Sequence, residues 1–229
     1  METATTVQQQ QPADLTAVHD SVGEDRAIDA QRERCRDVTW HPSAIERRAR
    51  WSALNQRGCT VLLTGLPASG KSTIAVALER ALLDEGRAAY VLDGDNIRHG
   101  LSDDLGFSPG DRTEHIRRVG QVARLFADAG TVAVVSLISP LAADREHVRA
   151  AHAEAELPFA EVFVDTALEE CQRRDPKGLY ARARAGEIRG LTGIDAPYQR
   201  PSHPDLHIRT AETSVEQAVA EILMLLRRL

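Results

Sequence analysis

Lys71, Ser72 and Thr73 directly follow the glycine-bracketed run Gly65-Leu66-Pro67-Ala68-Ser69-Gly70. These residue types at this spacing suit the binding of a nucleoside triphosphate. The two glycines let the backbone curl until successive N–H groups point at one anion. A helix starting immediately afterwards would turn the positive end of its dipole to the same place. Lys71 adds a mobile charge for the β and γ phosphates, and the Ser72 hydroxyl is placed to hold Mg²⁺.

A second group of reactive residues follows an apolar run. Ala88 to Leu92 leads into Asp93-Gly94-Asp95-Asn96-Ile97-Arg98-His99-Gly100. In open parallel sheets, ligands sit beyond the carboxyl ends of strands, so these acids and the arginine are expected beside the phosphates. A carboxylate there can accept a proton from a substrate hydroxyl or hold water around a metal, and an arginine can clamp a second anion. An Asp-Gly turn capped by its own side chains is the plainer meaning of the tripeptide, and its position after a strand argues against that. Phe107, in a Gly/Pro-rich loop, is placed to stack on a base. Arg112, His115 and Arg117 or Arg118 open a long helical pattern, where cations oppose the dipole unless a phosphate or sulfate sits there. Ser139 stands at another strand end and is a ligand contact or a helix N-cap, since no base lies near it in sequence. Among the eight histidines, His99 and His115 fall within these stretches.

The elements that must carry these groups can be read from hydrophobic period. Thr60 to Thr64 and Thr131 to Ile138 are nearly continuous apolar runs, as expected of strands buried on both faces. Ala160 to Val164 and Leu206 to Arg209 make about five strands in all, which predicts a parallel α/β sheet with helices on both faces. Apolar residues at helical spacing run from Ile74 to Leu83, ended by Gly86, and through Ile116, Val119, Val122, Leu125 and Phe126. Asp165 or Thr166 is expected to cap a short helix, and a last helix is expected from Ser214 to Leu226. Ahead of the first strand, Ser43 is expected to cap a helix with Arg47, Arg48 and Arg50 on its wet side. The arginine- and glycine-rich stretch of about 173–195 is too short for a domain and reads as a mobile lid that excludes water and brings positive charge to phosphoryl transfer.

The bulk properties narrow the classes further. The 229 residues are 42% hydrophobic and 27% charged, which suits one globular domain, 36–229, behind a flexible polar extension, 1–35. A net charge of −6 argues against a broad grip on nucleic acid. Cys35, Cys59 and Cys171 are an odd number and lack metal-ligand spacing, so a reducing cytoplasm is the expected home. No apolar stretch predicts a membrane span or a secretory signal.

Together these stretches resemble the adenylylsulfate kinase family. The resemblance runs from about Trp40 to the C-terminus and rests on the P-loop, the 93–100 run, Gly106-Phe-Ser-Pro-Gly-Asp-Arg112, Phe126-Ala-Asp-Ala-Gly130, Ile138-Ser-Pro140, Lys177-Gly-Leu-Tyr180, Ala183-Arg-Ala-Gly-Glu-Ile188 and Thr192-Gly-Ile-Asp195. It implies a three-layer fold of the P-loop NTPase type that phosphorylates the 3′-hydroxyl of adenosine 5′-phosphosulfate with ATP and Mg²⁺. By position, Gly65 and Ala68, Ser69, Gly70, Lys71, Ser72 and Thr73 would embrace ATP, with Ser72 on the metal. Asp95 would orient or deprotonate the hydroxyl, with Lys71 and Ser139 beside the reaction. Asn96, Arg98, Arg112 and His115 would bind the phosphosulfate substrate, Phe107 would stack on its adenine, and Ile138 and Ser139 would line the same pocket. Lys177, Gly190 and Leu191 would close over it from the lid. The resemblance departs at two positions: the family usually has Asn at 115 and Phe at 191. Some members carry phosphoserine at the Ser139 position, whereas direct in-line transfer needs no such step. A homodimer and a functional partnership with an ATP sulfurylase are compatible with this reading. The alternatives are a P-loop kinase for another small hydroxyl acceptor and a nucleotide-binding subunit without turnover.

Overall fold

The computed structural model describes residues 38–39 and 41–229, so the expected extension 1–35, Cys35 and Trp40 lie outside the described residues. Ile45–Leu229 form one compact unit. Its elements run α1 (Arg47–Ala53), β1 (Cys59–Thr64), α2 (Lys71–Asp84), β2 (Ala89–Asp93), α3 (Gly94–Ile97), α4 (Pro109–Ala129), β3 (Val132–Ser136), α5 (Ala142–Glu154), β4 (Phe159–Asp165), α6 (Leu168–Arg174), α7 (Leu179–Arg184), β5 (Leu206–Arg209) and α8 (Val215–Leu226).

The five strands pair in parallel, in the order β2-β3-β1-β4-β5. The period of two along β1 sorts its side chains between two cores. Val61 and Leu63 join Ile74, Leu78, Leu82 and Ile222 on the face covered by α2 and α8, while Leu62 joins Ile116, Val119, Ala123 and Val148 on the face covered by α4 and α5. Fully burying a side chain such as Leu78 contributes about 2 kcal/mol, so the layers hold through many such terms. β1 and β3 lie inside the sheet, and their carboxyl ends, with that of β2, open on one edge.

Local signals decide the boundaries. Ser108 caps α4 through a reciprocal pair with Asp111, with Pro109 next to the cap, and Gly130 ends the helix in left-handed backbone at φ 99°. Ser214 likewise caps α8 with Gln217. Three expected caps are absent. The N-cap of α1 is Glu46, with no side-chain bond, so the helix begins four residues beyond Ser43. α6 starts after Ala167: Asp165 binds Arg200 and His207 instead, and the Thr166 hydroxyl donates to the Ser69 carbonyl. The N-cap of α5 is Leu141, so Ser139 is no cap.

Nor is the basic face of α1 simply solvated. Arg47 and Arg50 each reach Asp128 near the end of α4 at 2.8 Å, and the Trp51 indole donates to the Ala127 carbonyl at 3.1 Å. This docks α1 on the domain. Cys59 and Cys171 are free and buried. Among the described residues no helix is long and apolar enough to cross a membrane.

Candidate active site

β1 delivers the chain into a loop whose two bracketing glycines are required by its backbone. A Cβ at Gly65 would lie 2.4 Å from the Val164 carbonyl oxygen, and Gly70 holds φ 103° at the N-cap of α2. Ala68 adopts left-handed backbone without being glycine, φ 60°, a strained arrangement of the kind that gathers at ligand clamps. The loop is braced from behind by Thr166 on the Ser69 carbonyl and by the buried Tyr180, whose hydroxyl donates to the Pro67 carbonyl at 3.0 Å.

Lys71 folds back into this loop. Its ammonium donates to the carbonyls of Gly65 and Leu66 at 3.0 and 2.7 Å and to Ser69 Oγ at 3.3 Å. Burial lowers its pKa to about 8, with Cys171, Asp93 and Asp95 opposing that shift. A phosphate would stabilise the charged form. In the free protein the lysine loses its proton as pH rises through about 8, and the bound form holds it longer. ATP affinity is therefore expected to be level below pH 8 and to weaken by up to about tenfold per unit above it. Titration calorimetry at pH 7, 8 and 9 checks this. A flat profile would show that the lysine does not meet the phosphates.

Beside the loop, Ser72 Oγ donates to Asp93 Oδ2 at 2.8 Å and lies 3.3 Å from Ser136 Oγ. Strand ends explain the meeting, since Asp93 closes β2, Ser136 closes β3, and the two are register partners. Asp93 also accepts from the Asp95 backbone N–H, capping the single turn α3. That turn lifts Asp95 to the rim, where Lys177 reaches across from the segment between α6 and α7 to form an ion pair with it. The hydrogen bond to Asp95 raises the Lys177 pKa, so the lysine stays charged.

The other half of the cleft is built on α4 and the loop before it. Phe107 is 67% exposed, with the Arg98 guanidinium 4.6 Å and that of Arg112 5.8 Å from its ring centre. Arg98 donates to the Gly106 carbonyl, and Arg112 to those of Phe107 and Gly190, so both heads are already aimed. His115 is buried one turn further along, and neither ring nitrogen has a protein partner. Burial pushes its pKa down to about 4, so the ring is neutral at pH 7 and keeps one donor and one acceptor for a ligand. Leu137, Ile138, Ser139 and Pro140 wall this side.

These two halves face one cleft of about 400 Å³. It gathers Ala68, Gly70, Lys71, Ser72 and Thr73 with Asp95, Arg98, Phe107, Arg112, His115, Ile138, Ser139 and Lys177. Several expected residues stand outside its lining. Gly65 and Ser69 shape the loop from behind, and Asn96 is exposed and does not line the cleft. Gly190 meets the site only through its carbonyl on Arg112, and Leu191 is buried with Cys171 and Tyr180. His99 is exposed away from the cleft. Arg117 and Arg118 are no anion site, because Glu114 binds both and Asp104 takes the second. Sequence reasoning passed over Ser136, Arg174 and Tyr180, and it noted Asp93 only as one of two acids; all four line the cleft. The legible signal for Asp93 and Ser136 was a polar residue closing an apolar strand.

The family model described as Adenylylsulphate kinase matches residues 57–209. The chain belongs to the adenylylsulphate kinase family. An adenylyl-sulfate kinase of Saccharomyces pastorianus is 54% identical over 186 residues, which cover 81% of this chain and 92% of that protein. The bifunctional enzyme CysN/CysC of Mycobacterium tuberculosis is 53% identical over 196 residues, 83% of this chain and 32% of that longer protein. Among solved structures, the Mycobacterium tuberculosis APS kinase CysC in complex with AMPPNP and APS superposes with a TM-score of 0.73 at 55% identity, covering 75% of this chain and 99% of that one. Family membership fits the parallel P-loop architecture and the two-sided cleft alike.

Proposed function

We infer that this chain is an adenylyl-sulfate kinase, which transfers the γ-phosphoryl group of ATP to the 3′-hydroxyl of adenosine 5′-phosphosulfate to give 3′-phosphoadenylyl sulfate and ADP. The observation that carries the reading is the pairing, in one cleft, of a phosphate loop with a second half built from Arg98, Phe107, Arg112 and His115. A triphosphate donor needs only the first half. An acceptor that is itself a nucleotide with a doubly anionic tail needs the second: an aromatic face for the base, two guanidinium groups for the anions and a neutral ring for a hydrogen bond.

The proposed roles follow from position. Lys71 leaves the loop carbonyls to meet the transferring phosphoryl group, and Asp95 orients the acceptor hydroxyl and takes its proton. Ser72 with Asp93 would hold Mg²⁺, an all-oxygen pair that fits a cation preferring few protein ligands and substrate phosphates. Mg²⁺ when bound neutralises charge on the β and γ oxygens. Lys177 and its segment close over the acceptor as a lid and exclude water. A cytoplasmic setting, a homodimer and a working partnership with an ATP sulfurylase complete the proposal, the last supported by the bifunctional relative.

A coupled ADP-release assay comparing adenosine 5′-phosphosulfate with AMP and nucleosides tests the acceptor. Turnover is expected with the sulfated nucleotide alone, and equal turnover with AMP would point to another hydroxyl acceptor. In the same assay, Phe107→Ala is expected to raise KM for the acceptor by roughly ten- to a hundredfold, the scale of one lost base stack, with KM for ATP unchanged. An unchanged acceptor KM would remove the stacking role.

A further inference from the structure

Ser139 walls the acceptor side of the cleft in left-handed backbone, φ 43°, with its hydroxyl buried and unpartnered. A non-glycine residue keeps such a conformation only where its surroundings over-determine it. The surroundings here converge on Arg145, in the first turn of α5, whose side chain is 4% exposed. Its guanidinium donates in three directions: to Glu161 Oε1 on β4 at 2.6 Å, to the Ser139 carbonyl at 2.7 Å and to the Gln199 carbonyl at 2.9 Å. Glu161 is held in turn by Arg149, which also binds Asp205.

The segment that returns from the lid is stitched to the same wall. The Gln199 N–H donates to the Pro140 carbonyl at 2.8 Å, and the Ala142 N–H donates to Gln199 Oε1 at 2.7 Å. Thr64 Oγ1 donates to the Ile138 carbonyl and lies 3.0 Å from the Tyr198 hydroxyl. Arg145 therefore bonds the strained turn, the returning segment and a sheet strand at once with a charged, three-way fork, where Thr64 on β1 joins the same parts through one hydroxyl.

We propose that Arg145 is a positioning residue for the acceptor: it fixes the Ser139 turn and the lid's return segment as one wall, against which adenosine 5′-phosphosulfate is seated. This rests on the reading of the chain as an adenylyl-sulfate kinase. The ATP half has braces of its own, in Lys71, Thr166 and Tyr180, and touches the clamped wall only through Thr64. Losing the clamp would thus separate the two substrates. A buried ion pair that served stability alone would lower the melting temperature and leave both KM values together.

Steady-state kinetics on the full chain, varying each substrate independently alongside thermal melts, tests this with Arg145→Lys and Gln199→Ala. Lysine keeps the charge beside Glu161, but one ammonium cannot reproduce the planar three-way fork. Arg145→Lys is expected to raise KM for adenosine 5′-phosphosulfate by roughly ten- to a hundredfold, the scale of a misplaced substrate contact, with KM for ATP within about twofold. Gln199→Ala removes only the tie to the Ala142 N–H and is expected to show the same split at a few-fold; an equal effect on both KM values there would overturn the wall that Arg145 is proposed to fix, even if Arg145→Lys fails to fold. A parallel rise in both KM values, or a lower melting temperature with both unchanged, would overturn the positioning role. A wild-type chain inactive on adenosine 5′-phosphosulfate would instead overturn the functional reading on which it rests.

Discussion

Lys71→Met is expected to lower kcat/KM for phosphoryl transfer by roughly a thousandfold or more, the scale on which removing a cation from a transferring phosphoryl group acts. The free-state geometry shows why the loss would fall on function and leave the fold standing. The ammonium is satisfied by two loop carbonyls and Ser69, and it sits in a buried environment that already depresses its pKa to about 8. Methionine fills much the same volume and ends the cost of a buried charge, while leaving the Gly65 and Leu66 carbonyls without this donor. These effects oppose each other, so the melting temperature of the ligand-free variant is expected to stay within a few degrees of wild type. Binding of an ATP analogue, read by calorimetry, is expected to weaken with the charge and to lose its dependence on pH above 8. Turnover within tenfold of wild type would mean that the γ-phosphate is neutralised elsewhere, and Arg174 on the cleft wall would be the next residue to replace.

Much of this site was legible because strand, loop and helix announce themselves over short distances. The 60–64 run, the glycine spacing and the helical period after Lys71 lie within one stretch of chain, and each predicts the next. The five-strand parallel sheet follows from the same reasoning, since continuous apolar runs separated by helical patterns leave few topologies. What could not be read depends on partners distant in sequence. Nothing near Ser43 or Thr166 forbids a cap; Thr166 is diverted because the fold brings the Ser69 carbonyl to its hydroxyl across 97 positions. Arg117 and Arg118 look like an anion site until the helix places Glu114 beside both. Leu191, expected over the acceptor, is drawn into the small core around Tyr180, and within the expected lid the short helix α7 is fixed on the P-loop by the Tyr180 hydroxyl. Arg145 carried no signal at all, since an arginine in an amphipathic helix reads as a solvated face until three acceptors close around it.

Asp95→Asn is expected to lower kcat by roughly a hundredfold or more while leaving ATP affinity nearly unchanged, as for loss of a general base. The carboxylate stands on a one-turn helix anchored through Asp93, so its backbone is fixed by the group proposed to serve the metal. Substitution by Asn keeps the turn and the size of the side chain. It removes the capacity to accept a proton and the charge that pairs with Lys177. Those two losses can be separated. If Asp95 acts only by holding the lid lysine, Lys177→Met should reproduce the fall in kcat. If Asp95 takes the hydroxyl proton, Lys177→Met should act chiefly on KM for the acceptor, and only Asp95→Asn should lower kcat. Because Asp95 is 64% exposed at its side chain, the substitution should leave thermal stability within about 0.5 kcal/mol, the usual range for a surface site. A kcat unchanged in Asp95→Asn would leave the acceptor hydroxyl to be deprotonated by the phosphoryl group itself, with Asp95 reduced to a partner of the lid.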